Sequence, residues 1–269
     1  MRHLAKNLKL GWLRSQTKLA GVVLSLLCLP ALFGDDFIAI AQPKPSQYGL
    51  GIKPQQTGAL HAPPSYCITA IAPQDGGRTL SQHPTLYLYL LKNKRERDTF
   101  ISELRLTLKL DEGESVLSRY MFRVKVQDLE EGLYKIALPV GNFPNLNGKI
   151  QHWAMYGIDA EFSSLEYTSA YVRQEPNGNV LKGIQPKSTM LDKARIYAKY
   201  YYWYDAFDAY SQWLEQHPKD VVARRERAKM LKENLSSRCV DIYRYISFQK
   251  LLEAIDVKPA EAIAFPLKN

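Results

Sequence analysis

Apolar residues recur at two different periods along this 269-residue chain, one in each half. In the first half they occupy every second position, as in Leu104, Leu106 and Leu108, with Arg105 and Lys109 between them. Such alternation predicts a strand with one buried and one solvated face. The same pattern, or a short apolar run, marks about seven strands, near residues 66–72, 86–91, 104–110, 120–126, 133–140, 150–158 and 167–173.

The number and spacing of these strands are typical of an antiparallel β-sandwich of the immunoglobulin-like kind, which we expect over residues 66–176. No helical period separates the strands, which excludes a parallel sheet built from strand–helix–strand units. We expect Trp153 to be buried between the two sheets.

In the second half the period changes to that of an α-helix, so the fold class is α+β, with a helical region over residues 187–269 packed on the sandwich. Thr189 and Asp192 have the spacing of a capping box at the start of one helix. Asp220 is placed to cap a further helix that runs to about residue 233. Residues 242–255 predict a last one.

The most strongly patterned segment is YAKYYYWYDAFDAYSQWLEQHP, residues 197–218. If Pro218 closes a 34-residue tetratricopeptide unit, its packing positions fall on Ala194, Tyr197, Ala206 and Tyr210. A single helical hairpin of this kind cannot bury its own apolar face, so the sandwich or the last helix must cover it. We therefore expect Trp203 and Tyr204 to be buried at that junction, with Asp205 capping the second helix of the hairpin.

The five adjacent aromatic rings of residues 200–204 cannot all point inward, because successive helical residues are spread around the axis. The alternative interpretation is therefore a surface for a partner or ligand. The candidate residues for that surface are Tyr200, Tyr202, Trp203 and Tyr204, together with His152 beside Trp153.

The N-terminal segment predicts export. Basic residues precede an apolar run, and the small residues Ala39 and Ala41 follow, which is the order of a secretory signal peptide cleaved after Ala41. The run is shorter than the ~20 residues of a membrane-spanning helix, so we expect no stable transmembrane segment after cleavage. Residues 42–65 are rich in proline and predict a disordered tether.

Loss of residues 1–41 would remove five of the 36 basic and two of the 27 acidic residues, leaving a net charge of +6. That charge favours anionic envelope surfaces, and an exported location argues against nucleic acid. Cys67 and Cys239 then remain. Two thiols in an oxidising compartment either pair or stay separate, and the spacing does not decide between these outcomes.

Known catalytic and cofactor motifs are missing from the sequence. It has no G-x-S-x-G, glycine-rich phosphate loop, C-x-x-C or H-E-x-x-H pattern. The acidic residues Asp111, Glu112 and Glu114 surround Gly113 in a predicted turn, and Glu130 and Glu131 precede Gly132 in the same way. We expect no enzyme activity, catalytic residue, metal or organic cofactor. The basic residues Arg224, Arg225, Arg227 and Lys229 are typical of a solvated helix face.

Several features occur together in a known order. They are Cys67 followed by a strand and Pro73, the sequence His83-Pro84-Thr85 before an aromatic strand, a tryptophan strand at Trp153, the sequence Trp203-Tyr204-Asp205-Ala206, and a closing Leu251-Leu252. In these features the chain resembles the cyanobacterial domain-of-unknown-function family 928 over most of residues 66–267. The resemblance implies an exported sandwich with a helical tail, and implies no activity. Family members typically carry a second cysteine just after the tryptophan strand, which this chain lacks, and residues 232–246 resemble an insertion.

We therefore expect an exported, non-catalytic interaction module of the cell envelope that presents its helical hairpin to another envelope protein. The alternative is an envelope protein that binds or modifies glycans through exposed aromatic residues. The sequence leaves the oligomeric state open.

Overall fold

A computed structural model describes residues 47–52, 66–92, 101–110, 119–126, 129–137, 146, 148–159, 164–184, 188–235, 239 and 246–265. All of them belong to one compact unit, Pro43–Asn269. The expected signal peptide, residues 1–41, lies outside the described residues.

Within the described ranges, none of the helices combines the length and the apolar character needed to cross a membrane.

The described residues form nine strands in two sheets. The strands are β1 Tyr66–Ala70, β2 Gly77–Thr79, β3 Leu86–Lys92, β4 Glu103–Leu110, β5 Arg119–Lys125, β6 Gly132–Ala137, β7 Ile150–Ile158, β8 Ser164–Gln174 and β9 Glu261–Ala264. One sheet has the order β1-β3-β6-β9 and the other β2-β8-β7-β4-β5. The seven strands expected from the hydrophobic pattern are confirmed, with small shifts at their ends.

The expectation of a purely antiparallel sandwich is wrong, because each sheet is mixed. β2 pairs with β8 in parallel, and β9 pairs with β6 in parallel. Both additional strands are sheet edges of only three and four residues. So short a segment does not show a period of two, which is why the sequence pattern predicted neither strand.

The two sheets pack face to face around one continuous apolar core. In the five-stranded sheet, Leu108 lies opposite Trp153 and Leu106 opposite Met155, and all four side chains are buried. Trp153 is fully buried, as predicted. The two sheets are also joined directly, because the Ala70 backbone N–H of β1 donates to a side-chain oxygen of β8, Thr168 Oγ1, at 3.0 Å.

Five helices are described, and all follow the strands of the five-stranded sheet in sequence. They are α1 Gly178–Gly183, α2 Met190–Lys199, α3 Trp203–Gln216, α4 Val221–Asn234 and α5 Phe248–Val257. The predicted capping box of Thr189 and Asp192 is present at the start of α2, and Asp220 caps α4 through the N–H groups of Val222 and Ala223. The sequence did not predict α1, whose six residues are too few to show a helical period.

The helices cover the outer face of the four-stranded sheet. Tyr87 of β3 is buried, with its ring 4.9 Å from that of Phe207 in α3 and its hydroxyl donating to Asp208 Oδ1 at 2.7 Å. Contacts between α5 and β6 extend this layer. The molecule therefore has three layers: the helices, the four-stranded sheet and the five-stranded sheet.

A disulfide between Cys67 and Cys239 links β1 to the chain that follows α4. The Cα atoms lie 5.7 Å apart, and both residues are buried. Of the two outcomes that the sequence left open, the structure has the bridge. Its second cysteine lies within residues 232–246, which the family resemblance marked as an insertion.

Residues 47–52, inside the expected tether, pack against the folded unit. Tyr48 is buried, Gly49 forms a β-bridge with Gly77, and the Leu50 N–H donates to the Asp75 carbonyl oxygen at 3.2 Å. The composition of this stretch did not predict the contact, because it is dominated by proline, glycine and glutamine and a single tyrosine makes the buried contact.

Candidate functional site

The aromatic run falls on the tight turn between α2 and α3. The Tyr202 N–H donates to the Tyr197 carbonyl oxygen at 2.9 Å, and the Tyr201 N–H to that of Ala198 at 3.1 Å. This pair of bonds is a Schellman ending of α2. Tyr201 occupies its left-handed position with a φ of 62°, and it is the one non-glycine residue with positive φ in the described chain. Glycine normally fills this position, since a side chain costs about 1–2 kcal/mol there.

Two tyrosines project from this turn, and we call them the turn tyrosines. Tyr200 is 38% exposed and Tyr201 is 40% exposed. The Tyr201 ring contacts the buried Tyr48 ring edge-on, with centroids 5.5 Å apart. Lys199 Nζ lies 5.7 Å from the centroid of the Tyr200 ring. The turn thus presents two large aromatic side chains beside a cation, on a strained but hydrogen-bonded backbone.

The next three residues of the run point inward, and each places its polar atom on the sandwich. The Tyr202 hydroxyl donates to the Glu175 carbonyl oxygen at 2.7 Å, and Trp203 Nε1 donates to that of Ile71 at 3.0 Å. The Tyr204 hydroxyl donates to the Tyr171 carbonyl oxygen at 3.0 Å. All three side chains are buried. The structure therefore separates Tyr202, Trp203 and Tyr204 from the candidate surface on which the sequence grouped them with Tyr200.

Tyr204 also ties the helices to the centre of the sandwich. Its hydroxyl accepts a hydrogen bond from Trp153 Nε1 at 3.1 Å, so the polar atom of this fully buried tryptophan is satisfied by a helix residue. The predicted burial of Trp203 and Tyr204 at the junction is confirmed.

Asp205 does not cap α3, which corrects the sequence expectation. The N-cap position belongs to Tyr202, which makes no side-chain capping bond, and Asp205 lies in the first turn of the helix. Its carboxylate reaches across to the sheet, where Oδ2 accepts the Leu80 N–H at 2.9 Å and the Thr79 hydroxyl also donates to it. Burial raises the pKa of Asp205 to about 6, against the lowering effect of these hydrogen bonds. Asp205 is thus a buried clamp between α3 and the end of β2.

His152 lies apart from the turn, on the outer face of the five-stranded sheet. Its ring centroid is 4.8 Å from that of Tyr171, the residue whose backbone carbonyl accepts from Tyr204. Burial lowers the pKa of His152 to about 4, and the positive charge of Lys109 acts in the same direction. His152 is therefore neutral at neutral pH. Its Nε2 atom is buried and makes no hydrogen bond within the described residues.

The sequence missed a buried cation. It assigned Arg227 to a solvated face, but the residue is only 5% exposed. Its guanidinium group lies over the Phe207 ring, donates to Ser211 Oγ at 3.0 Å and forms an ion pair with Asp256. The signal was weak, because α4 is polar around most of its circumference and only three buried apolar residues, Ala223, Met230 and Leu231, mark the side on which Arg227 lies.

A small cleft of about 40 Å³ lies beside Arg227, between the helices and the chain that leads to β9. Its walls include two carboxylates, those of Glu215 and Asp256. Each is held by a cation of this chain, Glu215 by Lys135 at 3.5 Å and Asp256 by Arg227. A cleft of this size has room for water but not for a sugar ring. The arrangement stabilises the helical layer and presents no pair of facing carboxylates to a substrate.

Among the described residues, no three His, Cys, Asp or Glu side chains are grouped so that they could hold a metal ion. Of the turn carboxylates, Asp111, Glu112 and Glu114 lie outside the described residues. Glu131 accepts the Tyr89 hydroxyl at 3.2 Å, and Glu130 pairs with Lys258 at 3.4 Å. Both contacts are structural.

Comparison with known proteins identifies a family for this chain but gives no activity. No curated protein matches the chain. A family model described as Domain of Unknown Function (DUF928) matches residues 57–239, which is more than half of the chain. The match spans eight of the nine strands, the α2–α3 turn and Cys239. This protein therefore belongs to the DUF928 family.

Proposed function

We propose that this protein is an exported, non-catalytic interaction module of the cell envelope, which engages another envelope protein through the turn tyrosines Tyr200 and Tyr201. The observation that carries the proposal is a tyrosine kept at a left-handed backbone position, where it is 40% exposed. Strain held at an exposed aromatic is characteristic of binding sites, because folding alone would favour glycine there.

The α2–α3 hairpin suits this role. Ala194 packs with Tyr210 in a small apolar cluster between the two helices, as in a tetratricopeptide-like unit. The other side of α3 is fixed to the sandwich through Trp203 and Phe207. A rigid support of this kind reduces the entropy lost when the turn tyrosines contact a partner.

The disulfide supports export to the periplasm, the cell envelope or the exterior, since such bonds form and persist in oxidising compartments. A signal peptide cleaved after Ala41 is part of the same proposal, as is the cyanobacterial source that the resemblance implies. Mass spectrometry of the protein from envelope fractions should find an N-terminus at Gln42 and a mass lower by two hydrogens than that of the reduced chain. A full-length, reduced protein in the cytoplasm would contradict export.

The partner surface is tested with a double variant, Tyr200→Ser with Tyr201→Gly, and a matched control, Tyr120→Ser. Tyr120 is 39% exposed but lies on β5, away from the turn. Envelope proteins captured by the wild type are compared with those captured by each variant, after melting curves show that all three are folded. We expect a partner that the control retains and the turn variant loses. Equal capture by all three proteins would overturn the proposal.

A further inference from the structure

The outer face of the five-stranded sheet carries charged and aromatic side chains, whereas the inner face of the same sheet is mostly apolar. We call it the open face, and it consists of the outward side chains of β2, β4, β5, β7 and β8. The helices pack on the outer face of the four-stranded sheet and reach the five-stranded sheet at its β2 edge, where α3 contacts β2. On the open face, Arg123 and Lys125 are exposed and Tyr156 and Tyr167 are half-buried.

Aromatic rings are paired across two neighbouring strands of this face. Tyr156 of β7 stacks on Tyr167 of β8, with centroids 5.5 Å apart and planes at 20°. His152 and Tyr171 form the second pair, at 4.8 Å. The members of each pair are directly opposite in the strand register. Because His152 and Tyr156 are four residues apart, the two aromatic pairs are separated by about 13 Å along the strands.

Between the pairs lie small residues, Thr107, Ala154 and Ser169, which are cross-strand neighbours. Thr107 and Ala154 are buried beneath the longer side chains on either side. The open face is therefore a platform of aromatic rings and long polar side chains around a patch of small residues.

The platform is positively charged. Arg105 and Arg123 share one carboxylate, Glu103, at 2.9 and 3.9 Å. Arg78 and Arg173 share Glu175 at the other edge. Lys109 and Lys125 add two further cations on the outward positions of β4 and β5. Among the described side chains, these six cations face two carboxylates, which leaves an excess of four positive charges.

We infer that the open face binds an acidic polysaccharide, with sugar rings lying on the paired aromatics and carboxylate or sulfate groups facing the arginines and lysines. Flat aromatic surfaces favour planar or ring-shaped ligands, and the charge excess favours an anionic chain. A lipid surface fits less well, because none of the exposed large apolar side chains of the described residues lies on the outward positions of this face. The choice of a glycan over nucleic acid rests on the proposed export.

The inference is tested with the purified mature chain, residues 42–269, and polygalacturonate, a carboxylated polysaccharide, with uncharged dextran as its neutral counterpart. The double variant Lys109→Gln with Arg123→Gln removes two cations from the open face and leaves Arg105 on Glu103. The matched control, Arg225→Gln with Lys229→Gln, removes two exposed cations from α4. We expect polygalacturonate to bind the wild type and the control equally, to bind the open-face variant about tenfold more weakly, and dextran not to bind.

A Tyr156→Ser variant separates the aromatic contribution from the charge. In high salt, where Coulombic attraction is screened, this variant should bind polygalacturonate more weakly than the wild type does. Equal losses in the open-face and α4 variants would overturn the inference. So would tighter binding of a single-stranded oligonucleotide or of anionic phospholipid vesicles than of polygalacturonate.

These outcomes are independent of partner capture by the turn tyrosines. If the Tyr200 and Tyr201 variant captures the same proteins as the wild type but polygalacturonate still binds the open face, the proposed partner surface fails and the glycan surface stands.

Discussion

The aromatic run contains two regions that are adjacent in sequence and opposite in role. Trp203 and Tyr204 form the first turn of α3, and their polar atoms bond to the sandwich. Tyr200 and Tyr201 lie three residues earlier, where α2 ends and the chain reverses, and their rings project into solvent. The comparison shows that the position of a residue relative to the helix start, and not its aromatic character, decides whether it holds the fold or is available to a partner.

The sharpest way to break this comparison is to truncate one residue from each region. Trp203→Ala should lower the free energy of unfolding by about 3–5 kcal/mol, because it removes a fully buried ring and the bond from Nε1 to the Ile71 carbonyl. Tyr200→Ala should change it by less than about 0.5 kcal/mol, as for most surface substitutions. Urea unfolding of both variants measures the difference. Equal effects would show that the run is not divided as the structure indicates.

The second prediction concerns the pH dependence that Asp205 gives to the junction. Its pKa is raised from 3.8 to about 6 in the folded chain, so the folded state holds the proton more tightly than the unfolded state does. The free energy of unfolding therefore falls by about 3 kcal/mol in total as pH rises from about 4 to about 6. Above that range the contribution of Asp205 is constant.

An Asp205→Asn variant lacks this titration and serves as the control for it. The free energy of unfolding of the wild type, relative to that of the variant, should fall between pH 4 and pH 7. Other titrating groups are common to both proteins and cancel in the difference. A constant difference across this range would mean that Asp205 is not buried between α3 and Leu80.

A smaller effect is expected from Tyr204→Phe, which keeps the ring and removes the hydroxyl. The variant leaves the buried Nε1 of Trp153 and the carbonyl of Tyr171 without this partner. The loss should be about 1–3 kcal/mol, the usual range for a buried polar group left unsatisfied. Thermal melts measure the loss. In these melts Tyr120→Phe, at an exposed position, should leave stability nearly unchanged. If both variants melt alike, the bond between helix and sandwich contributes nothing to stability.

Sequence patterns predicted the long elements of this fold well, and for a physical reason. Alternation over the eight residues of β4 and the capping box at Thr189 are local signals, and both appear where they were expected. The parallel edge strands β2 and β9 were missed because each is formed by pairing with a distant strand. The same applies to Arg227, which is buried only because Asp256 and Phe207 meet it from other helices.

The candidate site was predictable only in part. The sequence indicated that some rings of the run must be exposed, since they cannot all face one side of a helix. It did not indicate which, because that depends on where α2 ends, and Tyr201 is an unusual residue for the left-handed position of a helix ending. The paired rings of the open face were hidden because β7 and β8 become neighbours only in the sheet.

The smallest predicted effect is also the one that distinguishes a binding residue from a structural one. Tyr201→Gly should raise the free energy of unfolding by about 1 kcal/mol, because glycine adopts a φ of 62° without steric cost. The gain is reduced by two effects: glycine loses more backbone entropy on folding, and the edge contact between Tyr201 and Tyr48 is lost. Thermal melts at matched concentration measure the change. If Tyr201 served only stability, replacing it would destabilise the protein. A Tyr201→Gly variant that is more stable and yet captures less of the envelope partner would therefore place Tyr201 in the binding surface. A variant that is less stable than the wild type would instead assign the residue to the packing of residues 47–52.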